Sequence, residues 1–270
     1  MAHRSALFVP GSRPERFSKA VDTLANRVIV DFEDAVEPEL KAQAHDNLSN
    51  FLTESVTSNV MVRINASDTA FYEDDLRFCR EHPQLKAVMV PKAESPAQLL
   101  QIVGMGHAVW PLVESAKALL RLNELAEVKG VELLSFGALD LAVSLGVNPS
   151  DPEAQLIFDQ VRYALVVNSA ANGLCAPFDT IYPDIKNLEG LQAFALHGKG
   201  LGMGGMLCIH PSQVETASVA YRAPESEIAW AERVLNASKD QPGVFKFEGR
   251  MIDAPVLLSA RKILESQGKI

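Results

Sequence analysis

Cysteine is scarce: Cys79, Cys175 and Cys208 are the only three in 270 residues. None stands in a CxxC spacing, and an odd number cannot all pair. Neither a disulfide framework nor a cysteine zinc site is expected, but three small buried apolar side chains in a reducing compartment. Long hydrophobic runs are also missing. No apolar stretch approaches the roughly 20 residues of a membrane-spanning helix, so the expectation is a cytoplasmic protein. Basic residues are in deficit, with a net charge of −9 and both signs mixed along the chain. That excludes the basic face a nucleic-acid binder needs to displace phosphate counterions. It leaves anionic substrates open, because a few arginines inside a cleft outweigh the global sign locally. HxH and HExxH spacings are absent, which disfavours zinc. The one glycine-rich stretch, Gly200–Gly205, precedes a strand instead of opening a helix, and reads as a flexible approach to that strand.

What is present is an ordinary globular composition, 47% hydrophobic and 22% charged, suited to one large domain or a domain with an appendage. Short apolar runs recur at Ser5–Val9, Val28–Phe32, Val60–Ile64, Ala87–Val90, Ala108–Val113, Val131–Phe136, Leu174–Phe178 and Met206–Ile209. They do not alternate cleanly, as expected of strands buried on both faces of a parallel sheet. Stretches long enough for helices separate most of them: Arg13–Leu24, Pro38–Leu52, Asp74–Glu81, Pro96–Ile102, Ala116–Glu127, Asp151–Ala171 and Leu188–Leu196. This alternation predicts an α/β fold, and eight strands match a closed (β/α)8 TIM barrel over residues 1–222. A Rossmann fold would want a GxGxxG loop after the first strand, where Pro10-Gly11-Ser12-Arg13-Pro14 stands. Residues 223–270 read as a C-terminal helical extension or lid. It has a helix from Pro224 to about Ala237, a break at Gln241-Pro242-Gly243, a short strand Val244–Phe247 and a last helix Ala254–Ser266.

In such a barrel, chemistry collects where the strands end. The runs end in Asp31-Phe32-Glu33-Asp34, Arg63-Ile64-Asn65, Pro91-Lys92, Glu114-Ser115, Gly137-Ala138-Leu139-Asp140, Asp179 and His210-Pro211. Converging carboxylates repel one another unless a cation joins them. Magnesium takes one or two protein carboxylates and fills its octahedron with water and substrate oxygens. Glu114 and Asp140, on adjacent strands, form the natural metal pair, and Asp34 could hold a metal-bound water. Arg63 would face the metal and grip a carboxylate or a developing enolate oxygen; equally, it could be a buried partner of Asp31 or Glu33. One divalent ion plus one arginine suits a 2-keto acid or glyoxylate-like group, with the metal as Lewis acid. Asp179 reads as a turn or helix cap and His210 as structural. Lys92 could form a Schiff base, but the carboxylate pair argues for metal instead.

Seven segments occur in an order that resembles a known family: Ser5–Arg16, Asp31–Val36, Val62–Asn65, Pro111–Ser115, Phe136–Leu141, Cys208–Gln213 and Gly249–Pro255. Together they are similar to the citrate lyase β-subunit-like CoA-ester lyases, relatives of malyl-CoA lyases and HpcH/HpaI aldolases. The resemblance runs from about residue 5 to 265. It implies that Glu114 and Asp140 ligate Mg²⁺, that Arg63 contacts the keto-acid part of the substrate, and that Glu33 and Asp34 support the metal's waters. It places Arg13, Arg16 and Lys19 near CoA phosphates, and makes Asp253, in a C-terminal lid reaching a neighbouring subunit, the acid/base group. Activity on a citramalyl-CoA or malyl-CoA type of thioester, and a trimer or related homo-oligomer, are implied. The alternatives are a citrate lyase-type β subunit acting on a carrier-bound citryl thioester, and a thioesterase or malate synthase-like activity.

Overall fold

The computed structural model describes residues 3–54, 59–241 and 243–269; Pro242, part of the break expected after the helix from Pro224, lies outside them. Contacts divide the chain into two compact units, Arg4–Ala220 and the segment from Tyr221 onward. The first contains β1 (Ser5–Pro10), α1 (Phe17–Val21), β2 (Arg27–Asp31), α2 (Lys41–Glu54), β3 (Val60–Arg63), α3 (Tyr72–Glu81), β4 (Ala87–Val90), α4 (Pro96–Val103), β5 (Ala108–Val113), α5 (Ala116–Leu120), α6 (Leu122–Ala126), β6 (Ser135–Phe136), α7 (Ala138–Leu145), α8 (Ala154–Ala171), β7 (Phe178–Asp179), α9 (Leu188–Gly200), β8 (Gly205–Cys208) and α10 (Pro211–Tyr221). The strands β1 to β8 pair in sequence order, and β8 closes on β1 through Ser5 and Met206. All these pairs are parallel. This is the (β/α)8 barrel.

Side chains alternate across a strand, so each strand sends every second residue inward. Ala6, Ile29, Met61, Ala87, Met89, Trp110, Leu112, Leu133, Phe178 and Leu207 meet there as one buried cluster. No helix among the described residues is long and apolar enough to cross a membrane.

The expected runs on β6 and β7 are longer than the ladders they form. Val131 makes an isolated bridge to Val109, and Cys175 N bonds to Glu132 O, so these segments are tied down outside a regular register. Apolarity marks burial; it does not set ladder length. The helix expected over Ala116–Glu127 breaks at Arg121, whose φ of −111° and ψ of 14° leave the helical region. Helices α7 and α10 lie outside the expected set: α7 is short and mostly apolar, and ends on Gly146 in the left-handed conformation at φ 69°.

Three further expectations are corrected. Cys175 is exposed, whereas Cys79 and Cys208 are buried. The approach to β8 is more than a flexible stretch, because its end is crowded: a Cβ on Gly204 would stand 2.7 Å from Ala176 Cβ, and one on Gly205, which opens β8, 2.5 Å from the Phe178 ring. Asp179 does more than cap a turn. Its carboxylate accepts the Thr180 N–H at 2.9 Å, but it also forms a fully buried ion pair with Arg162 at 2.9 Å. Arg162 reaches Asp159 at 2.8 Å and lies over the rings of Phe136 and Phe194.

The second unit holds α11 (Glu225–Ala237), the antiparallel pair β9 (Phe245–Phe247) and β10 (Arg250–Ile252), and α12 (Ala254–Ser266). Glu248 and Gly249, at φ 47° and 80°, make the two-residue turn with two positive φ angles that suits a twisted hairpin. Ile228, Ala231, Val234, Phe245, Ile252, Ala260 and Leu264 form its own core.

Breaking one partner of a buried ion pair strands the other charge. Arg162→Leu should therefore lower unfolding free energy by about 3–5 kcal/mol, read from urea denaturation. Arg162→Leu with Asp179→Leu should cost less than the single change; a single-variant cost near zero would contradict the pair's role.

Candidate active site

The inward parity of the strands runs past the apolar core into a cavity of about 410 Å³. Ala6 leads to Phe8 and Pro10, Ile29 to Asp31, Met61 to Arg63, Leu112 to Glu114, Phe178 to Thr180 and Leu207 to Ile209. The cavity is the last layer of the barrel, where the same alternation delivers charged side chains instead of apolar ones. Asp34, Ala35, Ile181 and the segment Gly137–Asp140 complete its wall.

Asp31 and Arg63 stand opposite each other in the β2–β3 register. Arg63 Nε donates to Asp31 Oδ1 and Nη2 to Oδ2, both at 2.7 Å, a bidentate fork. Its remaining Nη1 lies 3.0 Å from Glu33 Oε2 and 3.6 Å from Asp34 Oδ2. The guanidinium carbon sits 5.0 Å from the Phe8 ring centre. Arg63 is thus the buried partner of Asp31 and Glu33, and it lines the cavity as well. Burial works against the charges of this pair, but their mutual attraction wins: Asp31 is held below the ordinary aspartate value and Arg63 above its usual one.

Glu114 follows β5 and is buried. Its Oε2 accepts the Lys92 N–H at 3.0 Å. A Cβ on Gly137 would stand 2.9 Å from its Cγ, so only glycine leaves the carboxylate its space. Burial first, and then the negative charges of Glu33 and Asp140, push its carboxyl up to about 8 against the pull of Arg63. Asp140, exposed in the first turn of α7, lines the same cavity. Lys92 carries its backbone at φ 46°, rare for a residue with a Cβ, and its Nζ bonds Glu33 Oε1 at 2.9 Å. Burial depresses this ammonium, but the bond and charge of Glu33 outweigh it and hold Lys92 above the ordinary lysine value. That is a protonated side chain and argues against Schiff-base chemistry.

Several supporting groups gave no sign in the sequence. Lys41 is buried under the acidic loop, donating to Phe32 O at 2.6 Å and to Glu33 O and Asn65 Oδ1 at 2.7 Å. Thr180 Oγ1 accepts the Ala138 N–H at 3.0 Å and seats the start of α7 on β7. The first-turn N–H groups of Leu139 and Asp140 have no intrahelical acceptor and belong to residues lining the cavity. The contacts of Lys41 with Asn65 and of Thr180 with Ala138 join residues far apart in sequence, and those of Lys41 with Phe32 and Glu33 go to backbone oxygens, so only the folded chain reveals them.

A second cavity of about 420 Å³ is lined by Arg16, Lys19 and His210 and shares Phe8, Pro10 and Ile209 with the first. Arg13 is exposed and does not line it. His210 Nδ1 lies 2.8 Å from Ser212 Oγ, a local structural bond. Asp253 belongs to the second unit, where its carboxylate accepts the Val256 N–H at 3.2 Å as the cap of α12.

Among the described residues, no three His, Cys, Asp or Glu side chains converge into a ready metal cage. The fit to magnesium rests on Glu114 and Asp140. Two carboxylates, one of them buried with an oxygen that accepts no bond from the described residues, match an ion that keeps most of its shell for water and ligand oxygens.

A family model described as HpcH/HpaI aldolase/citrate lyase matches residues 4–211. A citrate lyase subunit beta-like protein of Mycobacterium tuberculosis is 37% identical over 266 residues, covering 97% of this chain and 95% of the relative. A (3S)-malyl-CoA thioesterase of Cereibacter sphaeroides is 29% identical, covering 98% and 96%. Among solved structures, the protein CitE from M. tuberculosis in complex with magnesium, acetoacetate and coenzyme A superposes with a TM-score of 0.84 at 35% identity, covering 99% and 98%.

The raised carboxyl of Glu114 sets a sign for stability. With a folded value of about 8, above the ordinary 4.5, the metal-free fold binds this proton more tightly than the unfolded chain does. Glu114 should therefore lower stability progressively as pH rises between these two values. Thermal unfolding in EDTA at pH 5.5 and 8.5 checks this: Glu114→Gln should be more stable than the original chain at the higher pH and show a smaller pH dependence. An equal loss in both proteins would contradict the assignment.

Proposed function

The chain belongs to the HpcH/HpaI aldolase/citrate lyase family, and from this we propose that it is a magnesium-dependent carbon–carbon lyase. Its substrate would be a 3-hydroxy acyl-CoA of the citramalyl-CoA or malyl-CoA type, cleaved to acetyl-CoA and a keto acid such as pyruvate or glyoxylate. The observation that carries this reading is the Glu114–Asp140 pair beside Arg63 in one apolar-walled cavity. The M. tuberculosis CitE complex, holding magnesium and coenzyme A, supports it.

Mg²⁺, held by Glu114 and Asp140, supplies Lewis-acid polarisation of substrate oxygens when bound. The free N–H groups at the start of α7 offer donors for the carboxylate of the keto-acid half. Phe8, Leu112, Ile181 and Leu207 make the apolar wall, and among the described residues Arg63 is the sole cation lining the cavity. A methyl group suits that wall better than a second carboxylate, which favours release of pyruvate from citramalyl-CoA over release of oxaloacetate from a citryl thioester. In the reaction a base takes the 3-hydroxyl proton, the oxygen's electron pair forms the keto C=O, and the C2–C3 pair passes to the thioester enolate. Arg63 offsets the negative charge that develops. Asp253 returns a proton to the enolate carbon, giving acetyl-CoA. Asp34 and Glu33 hold water and Arg63 in place. Arg16 and Lys19 meet the CoA phosphates, because a ligand anchored in their cavity reaches the Arg63 site through the shared Phe8, Pro10 and Ile209. Arg13 is the weakest of the three cations for this role. Residues 223–270 act as a lid, with Asp253 entering the site of a neighbouring subunit in a homo-oligomer, a trimer or a related assembly.

The thioesterase alternative draws on the C. sphaeroides relative and on a third cavity of about 360 Å³. This is polar, lined by Ser67, Asp68, Gln98 and Ser115, and shares Glu114 and Asp140 with the first. It gives water a route to the same site.

Incubation with (S)-citramalyl-CoA, malyl-CoA and citryl-CoA, with and without EDTA, separates these readings. Keto acid together with acetyl-CoA, suppressed by EDTA, is expected; hydroxy acid together with free CoA thiol would mean hydrolysis. Glu114→Gln and Asp140→Asn should fall to the level of the EDTA-treated enzyme. Asp253→Asn should lower kcat by roughly 10²–10⁴-fold with KM little changed. Mixing Asp253→Asn with Glu114→Gln protomers should restore part of the activity; no recovery would place Asp253 within its own subunit's site.

A further inference from the structure

We propose that Lys92 is a positioning residue for the metal-binding carboxylate, and that its left-handed backbone, not its ammonium, does the positioning. This rests on the reading of Glu114 and Asp140 as the metal pair.

Lys92 and Glu248 are the two non-glycine residues with positive φ among the described residues. Glu248 has a local reason, the hairpin turn it shares with Gly249. Lys92 has none in its own sequence. It follows Pro91 at the end of β4, and any turn needing φ 46° there would be easier for glycine. Strain of this kind persists where the surroundings over-determine it, and it clusters at functional sites.

The surroundings here are specific. Pro91 and Ala93 on either side are buried, and Ala93 N–H bonds Leu112 O at 3.4 Å. With both neighbours held, a residue at 92 that refuses the left-handed conformation must rotate the 91–92 peptide, and that peptide carries the N–H bonded to Glu114 Oε2 at 3.0 Å. Gly137 packs against the same carboxylate and leaves no room for a Cβ. Glu114 is thus clasped between the turn of β4 and the turn that opens α7, with one oxygen committed to Lys92 N–H and the other left for a ligand. The Lys92 side chain acts elsewhere, its half-exposed ammonium bonding Glu33 Oε1 at 2.9 Å on the Arg63 side of the site. Backbone and side chain of one residue therefore serve different carboxylates, and substitution separates them.

Mn²⁺ binding by isothermal titration tests this without reliance on turnover, with circular dichroism confirming each fold. Lys92→Val, whose branched Cβ resists positive φ, should weaken Mn²⁺ binding roughly 10- to 100-fold, the range expected when a group orienting a ligand is lost. Lys92→Gly and Lys92→Asn lose the ammonium but tolerate the left-handed region, and should stay within about threefold of the original affinity. If Lys92→Val does not fold, Lys92→Thr, also branched at Cβ, takes its place. Original affinity in Lys92→Val or Lys92→Thr would overturn the proposal. So would a loss in the glycine and asparagine variants as large as in valine, because that would assign the effect to the ammonium. An original chain that binds no Mn²⁺, or a Glu114→Gln variant that binds it equally well, would instead overturn the metal pair on which the proposal rests.

Discussion

The fork between Arg63 and Asp31, two hydrogen bonds of 2.7 Å across neighbouring strands, sets the electrostatics of the whole barrel mouth. It makes the strongest cation of the cavity a fixed group that cannot swing to whichever carboxylate needs it. Asp31 and Glu33 take most of its contacts. Lys92 turns to Glu33 as well, and Lys41 spends its donors on backbone and amide oxygens. Glu114 and Asp140 form no ion pair among the described residues, and Glu114 is buried, feeling Arg63 only at a distance. In that position a carboxylate either keeps its proton or waits for a metal ion, and the upward shift of Glu114 expresses that choice. The uneven sharing of charge makes the place in which a divalent ion fits.

Much of this was legible in the chain because barrels impose a simple rule. Each strand is buried along its length, so a charge at its end is conspicuous, and Asp31, Arg63 and Glu114 stand out in that way; Asp140, expected at the end of a strand, instead lies past β6 in the first turn of α7. The rule carries no information on which charges pair. Arg63 reads equally well as a ligand-binding group and as a structural partner; the β2–β3 register, which sets it against Asp31, shows the second, and its place on the cavity wall is what supports proposing the first. Lys92 stands out too, but for its amine; its backbone angle and its bond to Glu114 depend on how β4 leaves the barrel. Gly137 and Thr180 are silent because their partners lie far away in sequence, and Lys41 because two of its acceptors are backbone carbonyls, which no side-chain pattern reveals. The apolar pattern overextends β6 and β7 and hides α7 for a related reason. Apolar runs report burial, and around the site short irregular segments are buried as deeply as strands.

The site is held mainly by elements that contribute no chemistry. Gly137 provides space, Thr180 seats α7, and Lys41 ties down the loop that carries Glu33 and Asp34. Such supports give a site its precision, since a ligand set is useful only when its surroundings fix its geometry. The buried charge of Glu114 is the corresponding liability for the metal-free fold. The second unit has a core and hairpin of its own and Asp253 at the start of its last helix.

The proposed chemistry of this barrel mouth depends on Glu114 and Asp140 holding one divalent cation between them. Crystals grown with Mn²⁺ and measured for anomalous scattering test it most directly. A single strong peak is expected about 2.1 Å from a carboxylate oxygen of each residue, in octahedral geometry. A peak bound elsewhere, or none at saturating Mn²⁺, would contradict it.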